Sequence, residues 1–167
     1  NSEDKKTFAY YEELKHRYEN VRILVWKKEF NYSAINNFAV RESRGEYLLF
    51  LNNDVEIITP SWMEEMLQIC QQDGVGMTGA KLYYPDDTVQ HAGVVLGLGG
   101  IAGHIMCKAR REDIGYMGRM VSVQEISAVT AACMLVKTSV FKEAGGFDEE
   151  LRVAFNDIDL CMQDRKS

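Results

Sequence analysis

An apolar run, Tyr47–Leu51, passes directly into Asn52, Asn53 and Asp54, and this junction constrains the fold more than any other part of the sequence. Strands that a parallel sheet covers on both faces read as continuous apolar runs of this kind. The polar residues that follow mark the end of the strand. The run therefore predicts a buried strand over residues 46–51 that delivers polar side chains to one edge of a sheet.

Helical and strand patterns alternate around this run. Up to residue 72 the sequence predicts helix, strand, helix, strand and helix, over residues 2–18, 21–26, 33–44, 46–51 and 59–72. Ser2, Ser33 and Thr59 are the expected helix caps, with Pro60 in the first helical position. This order is typical of an α/β protein with a mixed, mostly parallel central sheet flanked by helices. From Gly74 onwards we expect glycine-rich loops and shorter strands, among them residues 88–98 and 121–130.

Composition excludes several classes of function. The net charge is −6 and the pI about 5.1, which argues against a nucleic-acid partner held by phosphate contacts. No apolar run of about 18 residues predicts a membrane span. The four cysteines are far apart and form no C-x-x-C pair, so we expect reduced thiols in a cytoplasmic protein and no zinc site.

Hard oxygen ligands gather where the strand ends. Asn52, Asn53, Asp54 and Glu56 lie at the carboxyl end of the predicted strand, where open α/β sheets bind their ligands. Such oxygens suit Mg²⁺ or Mn²⁺, which commonly share a phosphorylated substrate and neutralise a diphosphate leaving group. On this stretch alone, a polar loop that caps the helix at Thr59 is an equal alternative.

A second acidic cluster occurs near the carboxyl end of the sequence. It contains Asp148, Glu149, Glu150, Asp157 and Asp159. Asp157 falls at a predicted helix start, where the helix dipole favours a carboxylate. A carboxylate near a metal–diphosphate site could act as general base for an acceptor hydroxyl. The alternative is a helix cap followed by a solvated helix face.

Four ordered segments, residues 30–67, 79–104, 130–151 and 155–165, resemble family 2 glycosyltransferases, in particular the bacterial rhamnosyltransferase-like, O-antigen-type members. They include "FNYSAINNFAVRESRGEYLLFLNNDVEI", "TVQHAGVVLGLGGIAGH", "TAACMLVKTSVFKEAGGFDEEL" and "FNDIDLCMQDR". The resemblance implies the GT-A fold and a single catalytic domain over residues 1–167. Residues 1–73 would be the nucleotide-sugar-binding part and residues 74–167 the acceptor-side part.

The resemblance also implies roles for residues of the donor site. The D-x-D motif of the family falls on Asn52, Asn53 and Asp54, with Asn in place of the first acid. Asp54 matches the acid that binds Mn²⁺ or Mg²⁺ at the donor diphosphate, and Glu56 is an auxiliary metal ligand. Asp4 matches the end of a loop that binds the nucleoside.

On the acceptor side, the Glu-Asp motif of the family falls on Asn156 and Asp157. Asp157 takes the position of the base in an inverting mechanism, and Asp159 supports the helix start or the acceptor. Residues 130–132 precede a strand that runs beside the donor sugar in similar proteins, and residues 145–147 shape the acceptor side. His91 lies in a "QHAG" stretch, where a structural role is favoured over a catalytic one.

The function expected from the resemblance is transfer of a sugar from a nucleotide-diphospho-sugar to a saccharide or lipid-linked acceptor, in bacterial cell-surface polysaccharide biosynthesis. A lipid-linked acceptor would bring a cytoplasmic enzyme to the inner face of the membrane as a peripheral protein. We further expect that the sequence is a fragment of a longer protein. It would lack the first strand and its nucleoside-binding acid, and residues after Ser167 that complete the site, and would show weak or no turnover alone.

Three other functions compete with this one. Gly97, Gly99 and Ala102 match the G-x-G-x-x-A dinucleotide fingerprint, but the residues that follow are broken by glycines and charges rather than forming an amphipathic helix. A dehydrogenase is therefore excluded. A nucleotidyltransferase shares the same metal–phosphate chemistry and stays open. A non-catalytic sugar- or protein-binding relative also stays open, although retention of Asp54 and Asp157 argues against it.

Overall fold

The computed structural model describes residues 4–164 as a set of helices around small antiparallel sheets. The helices are α1 (Lys5–Arg17), α2 (Tyr32–Glu42), α3 (Trp62–Cys70), α4 (Thr138–Glu143) and α5 (Asn156–Asp164), with a 3₁₀ segment at Tyr116–Val121. The strands are β1 (Tyr47–Leu51), β2 (Met77–Gly79), β3 (Leu82–Tyr83), β4 (Val89–His91), β5 (Val94–Leu96), β6 (Ala102–His104) and β7 (Cys133–Lys137).

The central sheet has three strands in the order β1-β7-β2. β7 lies in the middle and pairs antiparallel with both neighbours. Leu51 is opposite Cys133 at one end of β1, and Tyr47 is opposite Lys137 at the other. The predicted strand at residues 46–51 is therefore confirmed, and its carboxyl end lies beside the start of β7.

The expectation of a mostly parallel sheet is not confirmed, because every strand pairing within residues 4–164 is antiparallel. A continuous apolar run indicates only that a strand is covered on both faces. An antiparallel sheet covered by helices produces the same run as a parallel one. Residues 21–26, predicted as a strand, are extended but form no ladder with any described strand. Leu24 and Val25 are 41% and 50% exposed, so their β-branched and apolar pattern was not evidence of burial.

Two apolar cores lie against the sheet, one on each face. Met134 and Val136 of β7 join the larger core with Phe141, Phe147 and Leu160, which brings α4 and α5 onto that face. The alternate residues of β7 join a smaller core with α3; these are Cys133 and Leu135, packed with Met66 and Cys70. Because successive side chains of a strand point to opposite faces, β7 is buried almost throughout.

Two helices begin at residues other than those expected. Asn31 caps α2, where its side chain accepts a hydrogen bond from the Ala34 N–H at 3.0 Å, while Ser33 lies inside the helix. Ser61 precedes α3 instead of Thr59, and its hydroxyl donates to Glu65 at 2.6 Å. Asparagine is as good a cap as serine, so the sequence could not separate adjacent candidates. Ser2 lies outside the described residues.

The second half of the chain is built from short hairpins rather than long strands. β3 pairs with β4, and β5 pairs with β6. The single strand expected over residues 88–98 is broken at Gly93, whose φ of 110° an L-residue rarely adopts. The predicted strand at residues 121–130 is reduced to one bridge between Ala128 and Val94. All four cysteines lie in the described part without a disulfide, Cys107 exposed and the others buried.

Candidate active site

Residues 130–132, which precede β7, form hydrogen bonds both to the end of β1 and to the start of α5. We call these three residues the junction segment. The Asn52 N–H donates to the Ala132 carbonyl at 3.0 Å, so the junction segment continues the β1–β7 pairing. The preceding residue, Ala131, donates its N–H to Asp157 Oδ2 at 3.2 Å. The strand end that carries the metal motif and the predicted base are thus attached to neighbouring residues.

Asp157 is held at the first turn of α5 by backbone donors. Its Oδ1 accepts from the Ile158 N–H at 2.9 Å, and Oδ2 accepts from Ala131. The buried Asn156 orients the same turn, because its Oδ1 accepts from the Asp157 N–H at 2.8 Å and its amide donates to the Leu151 carbonyl at 3.4 Å. The half-buried carboxylate therefore has a fixed orientation at a helix N-terminus, where negative charge is favoured.

Tyr32 is a site residue that the sequence did not single out. Its hydroxyl donates to the Ala131 carbonyl at 3.3 Å, on the residue whose N–H binds Asp157. Burial, and secondly the negative charge of Asp157, raise the pKa of Tyr32 to about 12. The phenol therefore keeps its proton at neutral pH. Its contact is 99 residues away in sequence, and no local pattern signals such a pair.

The loop before α5 is fixed by polar side chains of α2 and of its N-cap residue. Asn37 donates to the Phe147 carbonyl at 2.8 Å and accepts from the Phe147 N–H at 3.0 Å. Ser33 donates to the Leu151 carbonyl at 2.7 Å, and Asn31 donates to the Glu149 carbonyl at 2.8 Å. The turn at residues 145–147, which the resemblance assigns to the acceptor side, is therefore attached to α2.

Gly146 of this turn leaves little room for a side chain. Its φ is 79°, and a Cβ atom there would lie 2.9 Å from Asn37 Oδ1. Glycine adopts this conformation without steric cost and permits the close approach of the Asn37 amide. The Gly-Gly-Phe sequence thus has a structural reason that follows from the contact with α2.

The predicted metal ligands lie on the exposed side of the strand end. Asn53, Asp54 and Glu56 are exposed, and Asn52 is half-buried. Within residues 4–164, no group of three or more His, Cys, Asp or Glu side chains is arranged to hold a metal ion. The carboxylate and amide oxygens suit Mg²⁺ or Mn²⁺ chemically, but they form only part of a coordination shell. Such metals commonly complete the shell with water and substrate phosphates.

Asp4, the predicted nucleoside-binding residue, is the N-cap of α1. Its carboxylate accepts a hydrogen bond from the Lys6 N–H at 3.1 Å. No described residue of α1 is buried, and Asp4 itself is exposed. The structure therefore brings Asp157 and Asn52 together at the junction segment but gives Asp4 a capping contact within its own helix.

His91 is buried beside the junction segment and pairs with a second histidine. It is 1% exposed, and its Nε2 accepts from the Thr130 N–H at 3.4 Å. Its Nδ1 lies 2.9 Å from Nδ1 of His104. Burial, with a smaller contribution from the charge of His104, lowers the pKa of His91 to about 4. A satisfied, neutral histidine agrees with the structural role that the sequence favoured.

One depression on the described surface lies away from these residues. It has a volume of about 470 Å³ and is lined by residues 44–47 and 137–139, at the opposite end of β1 from Asp54. It contains none of the predicted site residues, and it lies at the amino end of β1. We therefore place the candidate site at the junction segment, where the hydrogen-bonded acid and the strand end meet.

Comparison with known proteins agrees with the resemblance. Residues 1–145 match the model of a family described as Glycosyl transferase family 2. The chain belongs to this family. Membership in this family implies a GT-A fold. The matched range ends before Asp157, so the role of Asp157 depends on the geometry and on the sequence resemblance.

Two curated relatives are similar to most of this chain. An uncharacterized protein y4gI from Sinorhizobium fredii is 53% identical over 146 residues, which is 87% of this chain and 16% of that protein. The O-antigen biosynthesis protein RfbC from Myxococcus xanthus is 43% identical over 141 residues, 84% of this chain and 11% of that protein. The chain thus spans less than a fifth of the length of either relative. No solved structure matches it significantly.

Proposed function

We propose that this family 2 chain transfers a sugar from a nucleotide-diphospho-sugar to a saccharide or lipid-linked acceptor, with inversion at the anomeric carbon. The single observation that supports it best is the convergence at the junction segment. Asn52, at the start of the metal motif, and Asp157 bind adjacent residues, Ala132 and Ala131. The name of the Myxococcus relative, an O-antigen biosynthesis protein, supports a place in cell-surface polysaccharide biosynthesis.

Asp157 is the proposed general base. A carboxylate with two backbone N–H donors keeps one orientation, so its remaining lone pairs can accept the proton of an acceptor hydroxyl. The acceptor oxygen then attacks the anomeric carbon from the side opposite the nucleoside diphosphate, and the bond to the leaving phosphate oxygen breaks. Tyr32 stays neutral and donates its hydroxyl to the carbonyl of Ala131, the residue whose N–H binds Asp157.

Asp54 would hold Mg²⁺ or Mn²⁺, with Glu56 as an auxiliary ligand. Both carboxylates are exposed at the carboxyl end of β1, within reach of a diphosphate that arrives from solvent. A bound divalent cation supplies positive charge that neutralises the leaving diphosphate. Asn52 contributes mainly through its backbone, which fixes the strand end against Ala132.

The test is isothermal titration of the intact protein with UDP-, dTDP- and GDP-sugars, with and without Mn²⁺, followed by NMR analysis of the product. We expect one nucleotide class to bind in a metal-dependent way and the product to have the opposite anomeric configuration to the donor. Retention of configuration would refute the role of Asp157. Binding without transfer would favour a non-catalytic sugar-binding relative. Formation of a nucleoside triphosphate and a sugar 1-phosphate after pyrophosphate is added would favour a nucleotidyltransferase.

The cellular location is part of the proposal. Within residues 4–164, no helix has both the length and the apolar character that crossing a membrane requires. We infer a cytoplasmic enzyme that meets a lipid-linked acceptor at the inner face of the membrane as a peripheral protein. Salt or alkaline washing of membranes should release it, whereas retention after alkaline washing would contradict peripheral association.

A further inference from the structure

A cavity of about 220 Å³ lies beside the junction segment and has no role in the mechanism above. Thr130 and Ala132 form one wall, on either side of the residue that binds Asp157. Gln90, His91 and His104 form another wall, and Leu82 and Tyr84 complete the lining. The cavity is smaller than the roughly 300–1,000 Å³ of most small-molecule pockets, so it suits a single ring.

Hydrogen bonding fixes the proton positions of the two histidines. Because His91 Nε2 accepts from the Thr130 N–H, the proton of the neutral His91 ring is on Nδ1. That N–H donates to Nδ1 of His104 at 2.9 Å. His104 Nδ1 must then carry a lone pair, and the proton of its neutral ring is on Nε2. The pair thus presents one oriented N–H donor at the exposed His104 ring.

The polar groups that line the cavity are uncharged and include both hydrogen-bond donors and hydrogen-bond acceptors. Thr130 contributes a hydroxyl, whose oxygen already accepts from the Ala132 N–H at 3.4 Å and whose proton can be donated. Gln90 contributes an amide that both donates and accepts. The lining includes no lysine, arginine, aspartate or glutamate, so a phosphate would find no counter-charge there. Lys108 lies outside the lining, with its ammonium 3.5 Å from the centre of the Tyr84 ring.

We propose that this cavity is the subsite for an uncharged sugar ring, with His104 as the hydrogen-bond donor and Gln90 and Thr130 as partners of its hydroxyls. Sugar hydroxyls both donate and accept, which matches a neutral lining with groups of both kinds. The location beside the residue that binds Asp157 places the ring next to the proposed reaction centre. The inference rests on the proposed function for its substrate class.

His91 is a positioning residue in this arrangement. Its ring joins the Thr130 backbone to His104, so it fixes the junction segment and the donor at the same time. The ring that occupies the subsite belongs either to the sugar donor or to the acceptor, since both present the same hydroxyls. A change of His104 distinguishes the two sources, because it should weaken the binding of the substrate whose ring occupies the subsite.

The first measurement is saturation-transfer NMR of the intact protein with a panel of methyl glycosides, which carry no phosphate and need no turnover. Three variants are compared with the wild type. His104→Phe keeps a ring but removes the donor; His104→Gln can accept from His91 and still donate; His16→Phe changes an exposed histidine on α1 and is the matched control. Circular dichroism melting checks that each variant folds.

We expect at least one glycoside to bind saturably, with about tenfold weaker binding in His104→Phe and near wild-type binding in His104→Gln and His16→Phe. No saturable binding of any glycoside, or equal binding in all four proteins, would overturn the subsite. Binding of a nucleoside diphosphate that also weakens in His104→Phe would overturn it too, because the site would then bind the nucleotide.

Steady-state kinetics separates the two sources of the ring. If the ring belongs to the acceptor, His104→Phe raises the acceptor KM about tenfold and leaves donor binding unchanged. If it belongs to the donor, the affinity gain of the nucleotide-sugar over the free nucleoside diphosphate is lost. A wild type that binds glycosides through His104 without transferring sugar would refute the proposed function alone. Sugar transfer with the same kinetics in His104→Phe as in wild type would refute the subsite alone.

Discussion

The two acidic regions of the candidate site are built differently. Around Asp157 the side chain accepts two backbone N–H groups, and Tyr32 and His91 bind the adjoining junction segment from two sides. At the end of β1, Asp54 and Glu56 extend into solvent. The first region has its geometry before any ligand arrives. The second presents charges that acquire a geometry when a cation and a diphosphate bind.

This difference has an energetic reason. A group that moves a proton works best when its orientation is already fixed, since no reorganisation is needed during the reaction. Ordering carboxylates around a missing cation would instead bring like charges together without compensation. Throughout the described residues, every buried side-chain nitrogen and oxygen atom has a hydrogen-bond partner. The ordered region is therefore also a fully satisfied one, and changes there should cost stability as well as activity.

The largest effect is expected from Asp157→Asn in the intact protein. The amide cannot take up a proton from an acceptor hydroxyl, so kcat should fall by about 10²–10⁴-fold. The amide oxygen introduced by this change can still accept one backbone N–H, so circular dichroism should show a retained fold. Steady-state kinetics with saturating donor and acceptor measures the effect.

Glu143→Gln, at the exposed end of α4, removes the same charge away from the site and should leave kcat unchanged. A kcat for Asp157→Asn within threefold of wild type would show that the ordered carboxylate is structural. The comparison between the two regions would then be reversed, because the exposed strand end would carry the chemistry.

Acid should destabilise the ordered region through His91. Its pKa is about 4 in the folded protein against 6.5 for an ordinary histidine, so the unfolded chain binds a proton first as the pH falls. The stabilisation by neutral His91 is present above pH 6.5 and is lost between pH 6.5 and about 4. The full loss corresponds to about 3 kcal/mol in the free energy of unfolding.

Urea unfolding of the domain at several pH values measures this loss. In His91→Gln, whose amide can accept from the Thr130 N–H, the pH dependence between 6.5 and 4 should be flatter than in wild type. His16→Gln, on the exposed α1, should keep the wild-type dependence. An unchanged slope in His91→Gln would mean that His91 titrates as it does in the unfolded chain.

Asn37→Ala tests the attachment of the loop before α5 to α2. The change leaves the N–H and the carbonyl of the buried Phe147 without partners, which should cost about 2 kcal/mol in the free energy of unfolding. Asn36→Ala is the matched control, because Asn36 donates only within α2, to the Tyr32 carbonyl at 2.8 Å. If both changes cost the same, the loop is not held by Asn37.

The sequence predicted local elements better than their partners. Tyr47–Leu51 is a strand and Asp157 lies in the first turn of a helix, as expected from an apolar run and from an acidic helix start. The direction of the neighbouring strands was not predictable, because burial on both faces gives the same apolar pattern in either case. Residues 21–26 have the sequence pattern of a strand, but they form no ladder with any strand of residues 4–164.

The residues of the candidate site also fall into two groups, those with a local sequence signal and those without one. Asp157 and Asp54 could be chosen because acids at a helix start and at a strand end are signals within a few residues. Tyr32 and His104 could not, because each acquires its meaning from a distant partner, Ala131 for the tyrosine and His91 for the histidine. Contacts between residues that are distant in sequence produce no periodic pattern in a single sequence.

The smallest effect on stability is expected at the strand end. Asp54→Ala should change the free energy of unfolding by less than about 0.5 kcal/mol, because the exposed side chain extends into solvent. The same variant should lose the Mn²⁺-dependent part of nucleotide-sugar binding in calorimetry. Glu46→Ala, an exposed carboxylate at the opposite end of β1, is the matched control and should keep it. A stability loss above about 1 kcal/mol in Asp54→Ala would show that Asp54 orders the strand end without a ligand, and the two acidic regions would then be built alike.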